Sequence, residues 1–147
     1  MIDIKDFEEH LKKISATDWD KLFDLLPEMQ QTERFGEMKG MEKEEAGFMS
    51  FPFYVHPYIV NQFLQVIEEL ELLAVFDWIK WKEGKAIMGN NKTDFNVLDI
   101  VTLCKLFTVI IRADRFNEGF LIGNFADGTI QKIIFALQQH IKGREQP

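Results

Sequence analysis

Residues 94–112 contain the feature that most constrains the fold. Val, Ile, Leu, Phe and Cys fill most of this segment, and its polar residues recur at helical spacing along one edge. These polar residues are Asn96, Asp99, Thr102, Lys105, Thr108 and Arg112. Because a surface helix carries a broad polar face, a helix with so narrow a polar edge is covered on most sides by other elements. The pattern therefore predicts a central buried helix at about residues 94–112.

Apolar residues also repeat at helical spacing in four other parts of the chain. These are residues 4–14, 19–26, 60–70 and 130–141. We therefore expect a mainly α fold, an irregular bundle of five or six helices around the central one. At 147 residues, the chain has the length of a single globular domain, 1–147.

Two segments depart from the helical pattern. Alternating apolar residues favour a minor extended pair. They are Met49, Phe51, Phe53 and Val55. Glycines and charged residues dominate residues 36–47, with no spacing that could cover a core, so we expect a mobile loop there.

The net charge of −7 disfavours binding to phosphate backbones and to anionic lipid. The charge is uneven along the chain. Residues 1–71 contain 7 Lys and Arg against 16 Asp and Glu, whereas residues 72–147 contain 10 against 8. We therefore expect any anion-binding surface to come from the second half.

Three features predict a cytoplasmic protein without a membrane segment. Cys104 is the only cysteine, so the chain has no intramolecular disulfide, which is typical of a reducing compartment. The first ten residues are charged and lack the apolar core of a secretory signal. The longest nearly apolar run, residues 106–111, is far shorter than a membrane span.

The densest polar cluster follows the predicted central helix. Arg112 and Arg115 lie three positions apart, a spacing at which two guanidinium groups could clamp a carboxylate or phosphate. Asp114 and Glu118 could then act as acid or base beside a bound anion. The alternative is structural, because arginines near a helix C-terminus oppose the helix dipole and pair with neighbouring carboxylates.

Trp78 and Trp81 alternate with lysines, a combination that single-stranded nucleic acid sites use. Tryptophans are more commonly core anchors with a solvated rim of lysines, and the acidic remainder of the chain disfavours nucleic acid as a partner. The spacing of His10, His56 and His140 matches no metal-binding motif, and phosphate-loop and nucleophile-elbow motifs are missing from the sequence. We therefore predict no metal site and no cofactor. Cys104 lies among apolar residues and is expected in the core.

Two sequence blocks, FDWIKW at residues 76–81 and RADRFNEGF at residues 112–120, precede DGTI at residues 127–130. Together they resemble an uncharacterised family of small bacterial proteins, a domain of unknown function with an FDW block and a later RxxRFxxG block. The resemblance covers roughly residues 50–142 and implies no activity, cofactor or catalytic residue. If the two blocks converge in the fold, they form a candidate ligand-binding pocket. Its residues are Asp77, Trp78, Trp81, Arg112, Asp114, Arg115 and Glu118.

Three classes of function remain open. We favour a non-enzymatic interaction or regulatory module of a bacterial cytoplasm, with a protein partner or self-association. The alternative is a binder of, or an enzyme acting on, a small anionic ligand held by the Arg pair, and the third is a nucleic-acid accessory protein. An enzyme requires a concave pocket with both arginines exposed, whereas an interaction module predicts an uninterrupted apolar patch with buried, paired arginines.

Overall fold

The computed structural model describes residues 1–32, 35, 37–39, 53–55 and 57–145, and these residues form a mainly α fold, as predicted. Five α-helices have eight residues or more, and three are shorter. In chain order they are α1 Ile4–Lys12, α2 Ala16–Phe23, α3 Leu26–Gln31, α4 Tyr58–Glu69, α5 Lys82–Met88, α6 Ile100–Asp114, α7 Phe120–Ala126 and α8 Thr129–Glu145. Two 3₁₀ turns, Trp78–Lys80 and Phe95–Val97, precede α5 and α6.

Four short strands form two pairs. They are β1 Ile2–Asp3, β2 Glu37–Lys39, β3 Phe53–Val55 and β4 Ala74–Val75. β1 lies parallel to β4, and β2 lies antiparallel to β3. The predicted minor extended pair is thus present as β2 and β3, and β3 contains Phe53 and Val55. Met49 and Phe51 lie outside the described residues. Within the predicted loop at 36–47, residues 37–39 form β2, and the others also lie outside the described residues.

The central helix begins later than predicted, at Ile100 instead of residue 94. Asp99 caps it, since Asp99 Oδ1 accepts a hydrogen bond from the Thr102 amide at 2.7 Å. Asp94 caps the separate 3₁₀ turn, and Leu98 between the two is extended, with ψ at 145°. Two capping aspartates five positions apart therefore divide the apolar segment into a turn and a helix.

α6 lies in the middle of the hydrophobic core, which confirms the predicted central helix. Leu103, Leu106, Phe107 and Ile110 are each 0% exposed. The helix contacts α1, α5, α7 and α8. Phe63 of α4 packs edge-on against Phe107, with the ring centroids 5.4 Å apart.

Part of the polar edge of α6 faces β4 and the segment that follows it. Thr108 is buried, and its Oγ1 accepts a hydrogen bond from the Ala74 amide at 3.1 Å. Lys105 Nζ lies 4.1 Å from the ring centroid of Trp81 and 4.7 Å from that of Phe76. These contacts hold residues 74–81 against the helix.

Within the described part of the chain, each helix taken alone is too short or too polar to cross a bilayer. Two consecutive helices have the length and the hydropathy of a membrane span only when they are taken together. They are Phe120–Ala126 and Thr129–Arg144, and their axes are bent by 68°.

Candidate functional site

Asp77 has a local structural role. Its Oδ1 accepts a hydrogen bond from the Lys80 amide at 3.3 Å, and its Oδ2 lies 3.9 Å from Lys80 Nζ. The capped 3₁₀ turn contacts α6 and brings Trp78 beside the C-terminal part of that helix. Asp77 therefore positions the turn and contributes no carboxylate to the candidate pocket.

Trp81 is held from three sides. A Cβ atom at Gly84 would lie 2.2 Å from Trp81 Cε3, so the indole packs directly on the glycine backbone. The ring of Phe76 meets the indole at 83°, with the centroids 5.6 Å apart, and the ammonium of Lys105 lies over both rings. A cation at this distance from an aromatic ring is attracted to its face. Sequence reasoning missed Lys105, whose only signal was its place on the polar edge of the central helix.

Asp114 also has a structural role. Its Oδ1 accepts hydrogen bonds from the amides of Gly119, at 3.2 Å, and Leu121, at 3.0 Å. Gly119 has a φ of 95°, in the left-handed region that favours glycine, and it joins α6 to α7. Asp114 thus stabilises the turn between two helices, while Glu118 is exposed and does not line the pocket described next.

The two sequence blocks converge on one surface groove of about 290 Å³, here called the Trp78 groove. Its lining residues are Met1, Ala74, Val75, Phe76, Trp78, Ile79, Thr108, Arg112, Arg115 and Phe116. The rings of Trp78 and Phe116, one from each block, lie 6.4 Å apart. Of the seven predicted site residues, the structure brings Trp78, Arg112 and Arg115 together in this groove.

The Trp78 groove is unusually apolar at its surface. Seven large apolar side chains are exposed in the described residues, and four of them line this groove. These four are Met1, Val75, Ile79 and Phe116, exposed by 56%, 46%, 58% and 81%. Ile79 and Phe116 carried a sequence signal that the prediction did not use, because each is an apolar residue next to a basic one inside one of the two blocks.

The groove also carries positive charge. Arg112 is half-buried and donates a hydrogen bond to Met1 Sδ, and Arg115 is exposed. Within the described ranges, neither guanidinium forms a salt bridge with a carboxylate, and no Asp or Glu lines the groove. The groove thus has the exposed apolar patch expected of an interaction module. Its arginines differ from that expectation, because Arg112 is only half-buried, Arg115 is exposed, and neither is paired with a carboxylate of the described residues.

The histidines and the cysteine lie elsewhere. His10 Nε2 is 2.9 Å from the Leu70 carbonyl, and His140 Nε2 is 2.7 Å from that of Leu98. Cys104 is fully buried, as predicted, and this burial raises the pKa of its thiol, with a smaller contribution from the charge of Asp99. No cluster of three or more His, Cys, Asp or Glu side chains suited to a metal ion exists among the described residues. His56 falls outside them.

No curated protein and no solved structure matches the chain. The sequence model of one protein family, described as "Family of unknown function (DUF6508)", matches residues 14–143. This match includes both blocks that line the Trp78 groove, and it confirms the resemblance to an uncharacterised domain. The chain belongs to this family of unknown function.

Proposed function

We propose that this protein is a non-enzymatic interaction module that binds an acidic segment of a partner protein in the Trp78 groove. The observation that carries the proposal is the convergence of four exposed apolar side chains and two arginines on one groove. The partner segment packs an apolar side chain against the exposed faces of Trp78 and Phe116 and presents carboxylates to Arg112 and Arg115. A bacterial cytoplasm is the compartment we propose, supported by the single cysteine.

Exposure of the apolar side chains supports a polypeptide partner. Phe116 is 81% exposed and Ile79 is 58% exposed. Full burial of one such side chain contributes about 1.5–3 kcal/mol. Aromatic residues and arginines are also the residue types that dominate the binding energy of protein interfaces.

Charge selects an acidic partner. The groove carries the charge of two arginines in a chain whose net charge is −7. Screening limits long-range repulsion by the rest of the chain to about 8 Å at physiological salt, so the nearby guanidinium groups decide which charges bind. Each guanidinium can hold a carboxylate through two parallel hydrogen bonds.

A small anion alone explains less of the groove. It would satisfy the arginines but would leave Phe116 and Ile79 exposed, whereas a peptide covers all four side chains. Arg112 and Arg115 are the only ionisable side chains among the lining residues, so the lining supplies no carboxylate, imidazole or thiol for acid, base or nucleophilic chemistry. The lining therefore favours binding over catalysis.

Selection from a displayed library of random dodecapeptides tests the proposal. We expect the intact protein to enrich peptides that combine Phe, Trp, Leu or Ile with neighbouring Asp or Glu. The double variant Arg115→Glu, Phe116→Ala should not enrich them, whereas the matched control Arg144→Glu, Tyr58→Ala should. Enrichment of basic peptides, enrichment that survives the double variant, or no enrichment would each overturn the proposal.

Titration with inorganic phosphate or citrate distinguishes a site for small anions from a site for peptides. Binding of either anion that Arg115→Ala abolishes and Phe116→Ala leaves unchanged would favour an anion site in place of a peptide site. We expect only weak binding of both anions, because neither covers the apolar side chains.

A further inference from the structure

A second groove, of about 620 Å³, shares Trp78 and Ile79 with the Trp78 groove and is here called the Gly123 groove. Its walls come from α5, α6 and α7, and the aromatic and aliphatic lining residues include Trp81, Met88, Val109 and Phe120. We infer that the Gly123 groove binds a small planar aromatic ligand with a ring N–H and a carboxylate, of the indole carboxylate class. The inference does not rest on the proposed peptide site.

Volume and lining support a small ligand. Sites for small molecules typically measure about 300–1,000 Å³ and have mainly apolar walls with a few polar groups. The Trp81 wall is already held in place by Gly84, Phe76 and Lys105. A wall that needs no ordering upon binding lowers the entropic cost of capturing a rigid ring.

Asn124 supplies the hydrogen-bond acceptor. This residue lines the groove and is only 6% exposed. Its Nδ2 donates to the Phe120 carbonyl at 2.8 Å, which leaves Oδ1 without a donor among the described residues. A ligand N–H group can donate to this acceptor in place of water, and such a placed polar group fixes the orientation of a bound ring.

Lys85 supplies the positive charge. It lines the groove and forms no salt bridge with a carboxylate in the described ranges. The one carboxylate of the lining, Asp127, accepts a hydrogen bond from the Thr129 amide at 2.9 Å and so caps α8. The N-terminus of α8 therefore partly offsets the negative charge of Asp127, and the ammonium of Lys85 is the positive charge available to a ligand carboxylate.

Three compounds of similar shape test the assignment. Indole-3-acetate has both groups, 1-naphthaleneacetate lacks the ring N–H, and tryptamine replaces the carboxylate with an ammonium. The readout is the set of three indole N–H resonances in a ¹⁵N-correlated NMR spectrum, with buried Trp19 as the internal control. We expect indole-3-acetate to shift the resonances of Trp78 and Trp81 but not that of Trp19, and each other compound to bind at least about fivefold more weakly.

Glycine substitutions provide a matched blocking pair. A Cβ atom at Gly123 or at Gly143 meets no atom within 4 Å, so either site accepts a larger side chain without displacing its neighbours. Gly123→Leu fills the groove and should weaken indole-3-acetate at least tenfold, whereas Gly143→Leu should not. Lys85→Gln, at an exposed site, should weaken indole-3-acetate and should strengthen or leave unchanged the binding of tryptamine, because it removes a charge of the same sign as the tryptamine ammonium. Equal binding of the three compounds, unchanged binding by Gly123→Leu, or no shift at millimolar indole-3-acetate would overturn the inference.

Discussion

At the scale of single residues, a substitution is least tolerated where an added side-chain atom would overlap a packed neighbour. Gly84 is such a position, because the indole of Trp81 occupies the space that a side chain would need. Gly143, also in a helix, has open space around it. Both glycines lie within helices, Gly84 in α5 and Gly143 in α8, and only the tertiary contact distinguishes them.

Gly84→Ala should therefore displace Trp81 from Phe76 and Lys105 and lower the free energy of unfolding by about 1–3 kcal/mol. Gly143→Ala should instead raise it by about 0.5–1 kcal/mol, because alanine loses less backbone entropy in a helix. Urea denaturation followed by tryptophan fluorescence measures both values. If the two variants changed stability in the same direction, the packing of Trp81 on Gly84 would be wrong.

Cys104 predicts a specific dependence of stability on pH. Burial raises the pKa of its thiol in the folded state, so above the unfolded pKa of about 8.5–9 only the unfolded chain releases this proton. Stability contributed by the neutral thiol is full below that pH and is lost as the pH rises, by up to about 1.4 kcal/mol per pH unit. Urea denaturation at pH 8, 9 and 10 should show a smaller loss in Cys104→Ala than in the wild type. Equal losses would contradict the burial of this thiol.

At the scale of elements, sequence periodicity predicts the type of the helices better than their ends. The apolar segment at 94–112 was correctly assigned to the centre of the core, because burial follows from the apolar pattern alone. Its start was misplaced, because Asp94 and Asp99 are both good capping residues and the pattern does not say which one the helix uses. The parallel contact between β1 and β4 joins residues more than seventy positions apart, and local patterns carry no information on such a pair.

Asp99→Ala should lower the free energy of unfolding by about 1 kcal/mol, since its Oδ1 satisfies an amide at the start of the central helix. Asp94→Ala should cost less, because it caps only a 3₁₀ turn of three residues. Thermal denaturation of both variants under identical conditions provides the comparison. An equal or larger effect of Asp94→Ala would show that the helix begins at the earlier aspartate.

At the scale of the whole molecule, the fold places on one groove two blocks that are about thirty residues apart in sequence. Six of the ten lining residues belong to these blocks, but the roles of the residues could not be predicted from the sequence. Asp77 and Asp114 accept hydrogen bonds from backbone amides and do not line the groove. The arginines therefore face an apolar surface. Whether a carboxylate pairs with an arginine depends on the path of the chain between them, which composition and spacing do not determine.

The central claim is that the Trp78 groove binds an acidic peptide through Phe116 and Arg115. The most direct measurement is the dissociation constant of the most enriched dodecapeptide, determined by fluorescence anisotropy for the wild type, Phe116→Ala and Tyr58→Ala. Tyr58 is 72% exposed and lies outside the groove, which makes it a matched control for an exposed aromatic residue. We predict at least tenfold weaker binding for Phe116→Ala and unchanged binding for Tyr58→Ala. Equal affinity of Phe116→Ala and the wild type would contradict the claim.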